Sequence, residues 1–239
     1  MGITAMILAG GLGTRLRSVV ADRPKPMAPV NGRPFIELLI RSLASKRVSD
    51  FVLLTGFMGE TIQAHFDRVN IPGARIACSQ EPIPLGTGGA VKHAEHLATD
   101  PTLLVNGDTY FDADLEALHR VHTDEGPDVT LSLRRVNDAR RYGAVEVLPN
   151  GRITCFYEKE HAPEGPAPIN AGVSLLSKNF IDQLPANQAF SMERDIFPDI
   201  ARSGRMFGCV QNKVFFDIGT PDSYEAFQNF VLESGSNSS

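Results

Sequence analysis

Two cations ten positions apart, Arg15 and Lys25, and two widely separated aspartates, Asp108 and Asp217, are the side chains of this chain best suited to handling phosphate. Arg15 closes the turn Gly10-Gly11-Leu12-Gly13-Thr14-Arg15, into which the apolar run Ala5-Met6-Ile7-Leu8-Ala9 empties. Glycines let a backbone approach a ligand closely, and free N–H groups at or near a helix start face an anion well. The turn has no Gly-Lys-Ser/Thr ending, so it is not a P-loop. Gly11 and Gly13 fit the first half of the dinucleotide fingerprint, but Leu16 stands where its third glycine belongs, which argues against an oxidoreductase. Lys25 lies between Pro24 and Pro26, two residues that stiffen the backbone on either side of it. A fixed cation this close to a phosphate-type loop suggests a site.

Asp108 follows the apolar run Leu103-Leu104-Val105 through Asn106-Gly107, and Asp217 follows Val214-Phe215-Phe216. Ligands of open α/β sheets bind outside the carboxyl ends of strands, so both aspartates are expected at one crevice. Two carboxylates beside a triphosphate suit Mg²⁺, which takes few protein oxygens and leaves room for phosphate and water. A second glycine-rich stretch runs from Glu81 to Ala90, where Gly86, Gly88 and Gly89 are expected to expose backbone N–H and C=O groups that read the edge of a flat base. His93 and His96, like His119 and His122, sit three apart on predicted helices with no carboxylate to complete a metal motif, and read as solvated faces.

The elements that must position these residues follow from periodicity. Phe35, Leu38, Leu39, Ser42 and Leu43 fall at helical spacing, Asp50–Thr55 reads as a buried strand, and a helix runs through Ile62 and Phe66. Arg75–Cys78 is a short strand, Val91, Ala94 and Leu97 mark an amphipathic helix, and Leu103–Val105 is again a strand. Strand and helix thus alternate, as in a parallel sheet covered on both faces. The middle changes: Val129–Val136 alternates like a half-exposed strand, and Pro149-Asn150-Gly151 joins two strands in a hairpin. Gly172–Leu176 is a further strand, Ser191–Ala201 a helix, Met206–Val210 and Val214–Phe216 the last strands, and a terminal helix opens near Pro221. The predicted fold is α/β: a Rossmann-like, mixed but mostly parallel sheet flanked by helices, with a small antiparallel lobe over one side of a cleft. Residues 1–232 are expected to form one domain, with 233–239 a disordered tail.

A chain of 239 residues, 42% hydrophobic, can bury a full core. Its net charge of −5 offers no basic face for nucleic acid, and no apolar run is long enough to cross a bilayer. Cys78, Cys155 and Cys209 are few and far apart, which argues against disulfides or a zinc cluster and fits a reducing cytoplasm.

Gly10-Gly11-Leu12-Gly13-Thr14-Arg15-Leu16 followed by Pro24-Lys25-Pro26-Met27 resembles the signature of the sugar-1-phosphate nucleotidylyltransferases, and the chain is most similar to the D-glycero-α-D-manno-heptose 1-phosphate guanylyltransferases from about Ile3 to about Phe230. The resemblance implies transfer of a nucleotidyl group from an NTP to a sugar 1-phosphate, with GTP and a heptose 1-phosphate as the pair, in the cytoplasm and toward surface polysaccharide. It implies nucleotide contacts from Leu8, Gly10, Gly11, Gly13, Thr14, Arg15, Glu81, Leu85, Gly86, Thr87, Gly88 and Asp108. Sugar-phosphate contacts would come from Asn106, Tyr142, Gly143, Glu158, Lys159, Asn170 and Gly172, so that 1–110 would be mainly the nucleotide half and 111–232 mainly the sugar-phosphate half. Arg15, Lys25 and Asp108 would be catalytic, and Asp108 with Asp217 would hold Mg²⁺. Glu160 departs from the pattern, standing where many relatives have proline.

The expected mechanism is direct in-line displacement. The sugar phosphate is already an anion near neutral pH, so positioning and charge neutralisation replace a general base. Rival readings are a thymidylyl-, uridylyl- or mannose-type guanylyltransferase, separable by a nucleotide and sugar panel, and a catalytically inactive NDP-sugar-binding regulator. The joint presence of Arg15, Lys25, Asp108 and Asp217 argues against the last. Base choice does not follow from the residues alone, and the oligomeric state stays open, a homodimer among the options.

Overall fold

A computed structural model of the chain describes residues 2–11 and 23–236. Its centre is β1 (Thr4–Leu8), paired in parallel with β4 (Asp50–Thr55) on one side and β6 (Thr102–Asn106) on the other. Successive β1 side chains go to opposite faces, as the pleat requires. Ala5 and Ile7 join a core with helix α1 (Phe35–Ser45) and helix α7 (Pro221–Ser236), while Met6 joins a second core with α3 (Gly86–His93), α5 (Lys178–Gln183) and α6 (Phe197–Arg202). An apolar strand buried on both sides is what the unbroken run Ala5–Leu8 anticipates. β5 (Arg75–Gln80) pairs in parallel with β4 at one edge, and helix α2 (Gly59–Phe66) connects the two.

The antiparallel strands continue the same sheet, which has nine strands among the described residues. β11 (Ala167–Leu176) lies antiparallel to β6 and to β8 (Val129–Val136), and β12 (Met206–Val210) runs parallel to β8. The hairpin β9 (Ala144–Val147) and β10 (Ile153–Tyr157) joins through the Ile169–Ala144 pairing. The β8–β11 register shifts between Asn170 and Ser174, an irregularity of the kind that re-aims side chains beside sites. Val129–Leu133, expected half-exposed, is buried throughout, because β11 and β12 flank β8 and helices cover both faces.

Two small ladders stand apart. β7 (Thr109–Phe111) pairs antiparallel with β13 (Phe215–Asp217), and β2 (Pro29–Val30) pairs with β3 (Arg33–Pro34). Helix α4 (Leu115–Glu125) begins on an Asp114 cap that accepts from Ala117 N–H and ends at Gly126. Helix α7 continues to Ser236, and Ser234 Oγ donates to the Phe230 carbonyl within it. No helix among the described residues is long and apolar enough to cross a membrane.

Candidate active site

β1, β4 and β6 end in register, with Leu8 beside Leu54 and Asn106, so their carboxyl ends make one crevice. The chain leaves β6 through Gly107, where a Cβ would lie 2.2 Å from the Leu8 carbonyl oxygen and only hydrogen fits. Gly107 N–H donates to that carbonyl at 3.0 Å, and the next residue is Asp108. Asp217 arrives by another route. It was expected at the end of a strand of the main sheet, but β13 belongs to the two-stranded ladder with β7, where Asp217 pairs with Thr109. Ile218 N–H also donates to the Asp108 carbonyl at 3.0 Å, and this register brings together aspartates 109 positions apart in sequence.

Lys25 lies between them. Its segment is a single 3₁₀ turn, Lys25–Met27, entered through Pro24 and containing Pro26. Nζ is 2.5 Å from Asp108 Oδ2 and 3.8 Å from Asp217 Oδ1, and the lysine side chain is only 9% exposed. Burial pushes the Asp108 carboxyl upward, but the Lys25 charge and hydrogen bond, a hydrogen bond from Thr109 and the Lys159 charge hold it below the usual carboxylate range. Asp217 Oδ1 accepts from Gly219 N–H at 2.8 Å.

The same two carboxylates are the set that could hold a divalent cation. They already face one shared cation, the ammonium of Lys25, and both offer hard oxygen donors. Among the described residues no group of three His, Cys, Asp or Glu side chains gathers for a metal, so phosphate and water would complete a Mg²⁺ shell.

Two cavities meet at Asp108. The first, about 480 Å³, is lined by Leu8, Gly10, Gly11, Lys25, Glu81 and Gly86, among others. The second, about 240 Å³, takes Tyr142, Gly143, Glu158, Lys159, Asn170 and Asp217. Thr87, Asn106, Asp108 and Glu193 line both. Most of the described residues expected at the nucleotide line the first hollow and most of those expected at the sugar phosphate line the second, while Leu85, Gly88 and Gly172 line neither. Gly13, Thr14 and Arg15 lie outside the described residues.

The Glu81–Ala90 stretch differs from its expectation. Helix α3 begins at Gly86, whose φ is +72°, so the glycines open a helix and do not form a loop. Gly88 and Gly89 N–H groups are directed at the Phe190 carbonyl, at 3.1 and 3.5 Å, and a Cβ at Gly88 would lie 2.1 Å from the Phe190 ring. They are packing positions against the 188–190 segment and do not present free donors. Leu85 is buried as well, and its carbonyl accepts from Phe190 N–H. The polar group here is Glu81, whose Oε2 accepts from Leu85 N–H at 2.8 Å. Its other oxygen rests on bare backbone: a Cβ would lie 2.8 Å from it at Gly10 and 2.4 Å from it at Gly56. Burial pushes this carboxyl up, opposed by the Leu85 N–H and the His93 charge.

In the second cavity Glu158 Oε2 caps the turn Lys159–His161 through Lys159 N–H at 2.9 Å. Asn170 N–H donates to the Gly143 carbonyl, tying the two predicted sugar positions together. Gly172 does not line the cavity, and its N–H donates to Asn170 Oδ1 at 3.0 Å. Burial, and the nearby Asp217 charge, push the Tyr142 hydroxyl up against the opposing Arg141 charge. Of the histidines expected on solvated faces, His122 is buried, with Nδ1 2.8 Å from Thr130 Oγ1, because α4 packs on β8.

Sequence reasoning missed Glu193. It belongs to a single π-helical turn, Met192–Ile196, capped by Ser191, and in sequence it reads as an ordinary first-turn acid favoured by the helix dipole. Nothing in its spacing points to the site, because Thr87, which holds it, is 106 residues away.

The chain is 36% identical over 225 residues to a D-glycero-alpha-D-manno-heptose 1-phosphate guanylyltransferase of Aneurinibacillus thermoaerophilus, covering 94% of this chain and 96% of that one. It is 35% identical to a mannose-1-phosphate guanylyltransferase of Mycobacterium tuberculosis, covering 93% of this chain and 62% of that protein. The crystal structure of HddC from Yersinia pseudotuberculosis complexed with GMP-PN superposes with a TM-score of 0.84 at 33% identity, covering 95% of this chain and 99% of that one. The Nucleotidyl transferase family model matches residues 4–234, and with these relatives it shows that the chain belongs to the nucleotidyl transferase family.

Proposed function

We propose that this enzyme transfers the guanylyl group of GTP to D-glycero-α-D-manno-heptose 1-phosphate, giving GDP-heptose and pyrophosphate. The observation that carries the reading is the position of Lys25, held by Asp108 and Asp217 where a nucleotide-sized cavity meets a smaller, polar one. Two polyanions must be brought together there, and a buried ammonium fixed by carboxylates is a preorganised cation for the charge that develops between them. The names of the relatives support GTP as donor and a manno-configured heptose as acceptor.

The displacement needs no general base, since the attacking phosphate oxygen is ionised near neutral pH. Lys159 at the rim of the second cavity would hold that phosphate, and Glu158 would accept from sugar hydroxyls. Lys25 would neutralise charge at the α-phosphate, and Arg15 would bind the leaving phosphates through its rigid fork. Asp108 and Asp217 would hold Mg²⁺, which when bound supplies Lewis-acid neutralisation of phosphate oxygens. The unpaired cysteines, Cys78, Cys155 and Cys209, fit a reducing cytoplasm. There the product would serve surface-polysaccharide synthesis.

A second reading, transfer to mannose 1-phosphate, is favoured by the likeness to the mycobacterial enzyme. Pyrophosphate release, measured with GTP, UTP and dTTP against heptose, mannose and glucose 1-phosphates, tests both. The expected best pair is GTP with the heptose. Preference for dTTP and glucose 1-phosphate would reject the guanylyl assignment.

A further inference from the structure

Resting on the guanylyl-transfer reading, we propose that Glu193 is a specificity-determining residue that accepts a hydrogen bond from the sugar's 2-hydroxyl, the one beside the anomeric phosphate. Among the described residues, Glu193 and Asp108 are the only acidic side chains lining both cavities. Asp108 is engaged by Lys25, whereas Glu193 has no cation on it among the described residues.

The carboxylate is held by design of its surroundings. Thr87 Oγ1 donates to Glu193 Oε2 at 2.7 Å, and Ser191 Oγ donates to the same oxygen at 3.1 Å. Thr87 Oγ1 in turn accepts Met192 N–H at 2.8 Å, and Ser191 Oγ accepts Arg194 N–H at 3.2 Å. Both hydroxyl protons are thereby directed at Oε2. Oε1 takes no hydrogen bond from the described residues and remains for a ligand.

An ionised carboxylate only accepts hydrogen bonds, and beside two phosphate-bearing ligands it repels phosphate. Its partner must therefore be a hydrogen-bond donor of a ligand, and beside the phosphates that donor is a hydroxyl. The sugar phosphate meets the α-phosphate at the junction of the two cavities, and the hydroxyl nearest its C1–O–P linkage is on C2. Glu158 lines the second cavity alone and is placed for hydroxyls farther along the ring. The C2 hydroxyl is axial in the manno configuration and equatorial in the gluco configuration, so a fixed acceptor at the junction separates the two. A hydrogen bond to an ionised acceptor is worth enough to change selectivity about 10- to 100-fold.

The test is kcat/KM of wild type, Glu193→Gln and Glu193→Ala with GTP, comparing mannose 1-phosphate with its 2-deoxy analogue, and GTP with dGTP on mannose 1-phosphate. Wild type should favour the 2-hydroxy sugar about 10- to 100-fold. That ratio should fall close to one in Glu193→Ala and to an intermediate value in Glu193→Gln, which keeps the side chain's size, while the GTP-to-dGTP ratio stays put. A uniform loss that leaves the 2-hydroxy preference intact makes Glu193 a structural support for Thr87 and overturns the proposal. Collapse of the GTP-to-dGTP ratio instead places the carboxylate on the ribose and also overturns it. Wild type idle with every sugar 1-phosphate overturns the guanylyl-transfer reading together with this one, whereas an active wild type with an unchanged ratio in the variants overturns this one alone.

Discussion

Lys25 Nζ lies 2.5 Å from Asp108 Oδ2, although 83 positions separate the two residues in sequence. The pair couples the segment after the glycine turn to the end of β6, so the lysine cannot be an ordinary solvated loop residue. Lys25→Ala is expected to lower kcat by on the order of 10²–10³, the usual cost of removing one preorganised electrostatic group. Lys25→Arg should restore little, because a planar fork does not replace a compact ammonium held between two prolines. Single-turnover chemistry measured beside GTP binding checks this: affinity should fall much less than rate, and a near-normal chemical step would return Lys25 to a structural role.

The ammonium also stands between the carboxylates proposed for Mg²⁺. Asp217→Asn should keep the fold and lose most activity at ordinary Mg²⁺, and Asp108→Asn should be at least as damaging. Binding of Mn²⁺ to the free chain, followed by electron paramagnetic resonance, gives a readout apart from turnover. It should tighten in Lys25→Met, where no resident cation competes, and weaken in Asp217→Asn. Full activity of Asp217→Asn in excess chelator would reject the metal assignment.

What the sequence made legible was whatever a local pattern encodes. The run Ala5–Leu8 is apolar at every position because both faces of β1 are covered, and Phe35, Leu39 and Leu43 repeat at helical spacing because α1 buries one stripe. Lys25 and Asp108 were recognisable from the prolines and the strand end beside them. What escaped depends on distant partners. Gly88 and Gly89 look like a loop until the backbone of Phe190 docks on them. Asp217 looks like the end of a main-sheet strand until the register with Thr109 moves it to a separate ladder. His122 reads as a surface helix residue until Thr130 of β8 meets its ring.

That buried histidine should leave a mark on stability. Burial, with a smaller contribution from His119 and against the charge of Asp100, pushes the His122 pKa below its ordinary 6.5. The unfolded chain then takes up this proton at higher pH than the folded one does. The contribution to stability is intact above about pH 6.5 and declines as pH falls toward the folded value. Urea unfolding at pH 7.5 and 5.5 should show a smaller difference in His122→Gln than in wild type. Identical pH dependence would mean the ring charges freely in the folded state.

The last prediction concerns how Lys25 is kept in register with the aspartates. Helix α7 begins at Pro221, four residues after Asp217, and reaches back to the start of the chain. The Tyr224 hydroxyl donates to the Pro29 carbonyl, Gln228 Nε2 donates to the same carbonyl at 3.2 Å, and Asn31 Nδ2 donates to the Gln228 carbonyl at 3.0 Å. Pro29 follows the Lys25 turn directly, through Ala28, whose N–H donates to the Lys25 carbonyl. One helix therefore fastens the lysine segment and leads out of the Asp217 loop. Tyr224→Phe removes a single hydroxyl and keeps the ring in its core. It should cost about 1 kcal/mol, roughly 2–4 °C in Tm for a chain of this size. If the helix only adds stability, kcat at 25 °C will not change. If it positions Lys25, kcat should fall roughly 3- to 10-fold with little change in the KM for GTP, since small misplacements of a charge-neutralising group act on the transition state. The separating measurement is a double-mutant cycle with Lys25→Ala. Tyr224→Phe should lower kcat in the wild-type background and do almost nothing further once Lys25 is gone, because a residue acting through Lys25 has nothing left to position. Equal losses in both backgrounds would detach the helix from the catalytic lysine.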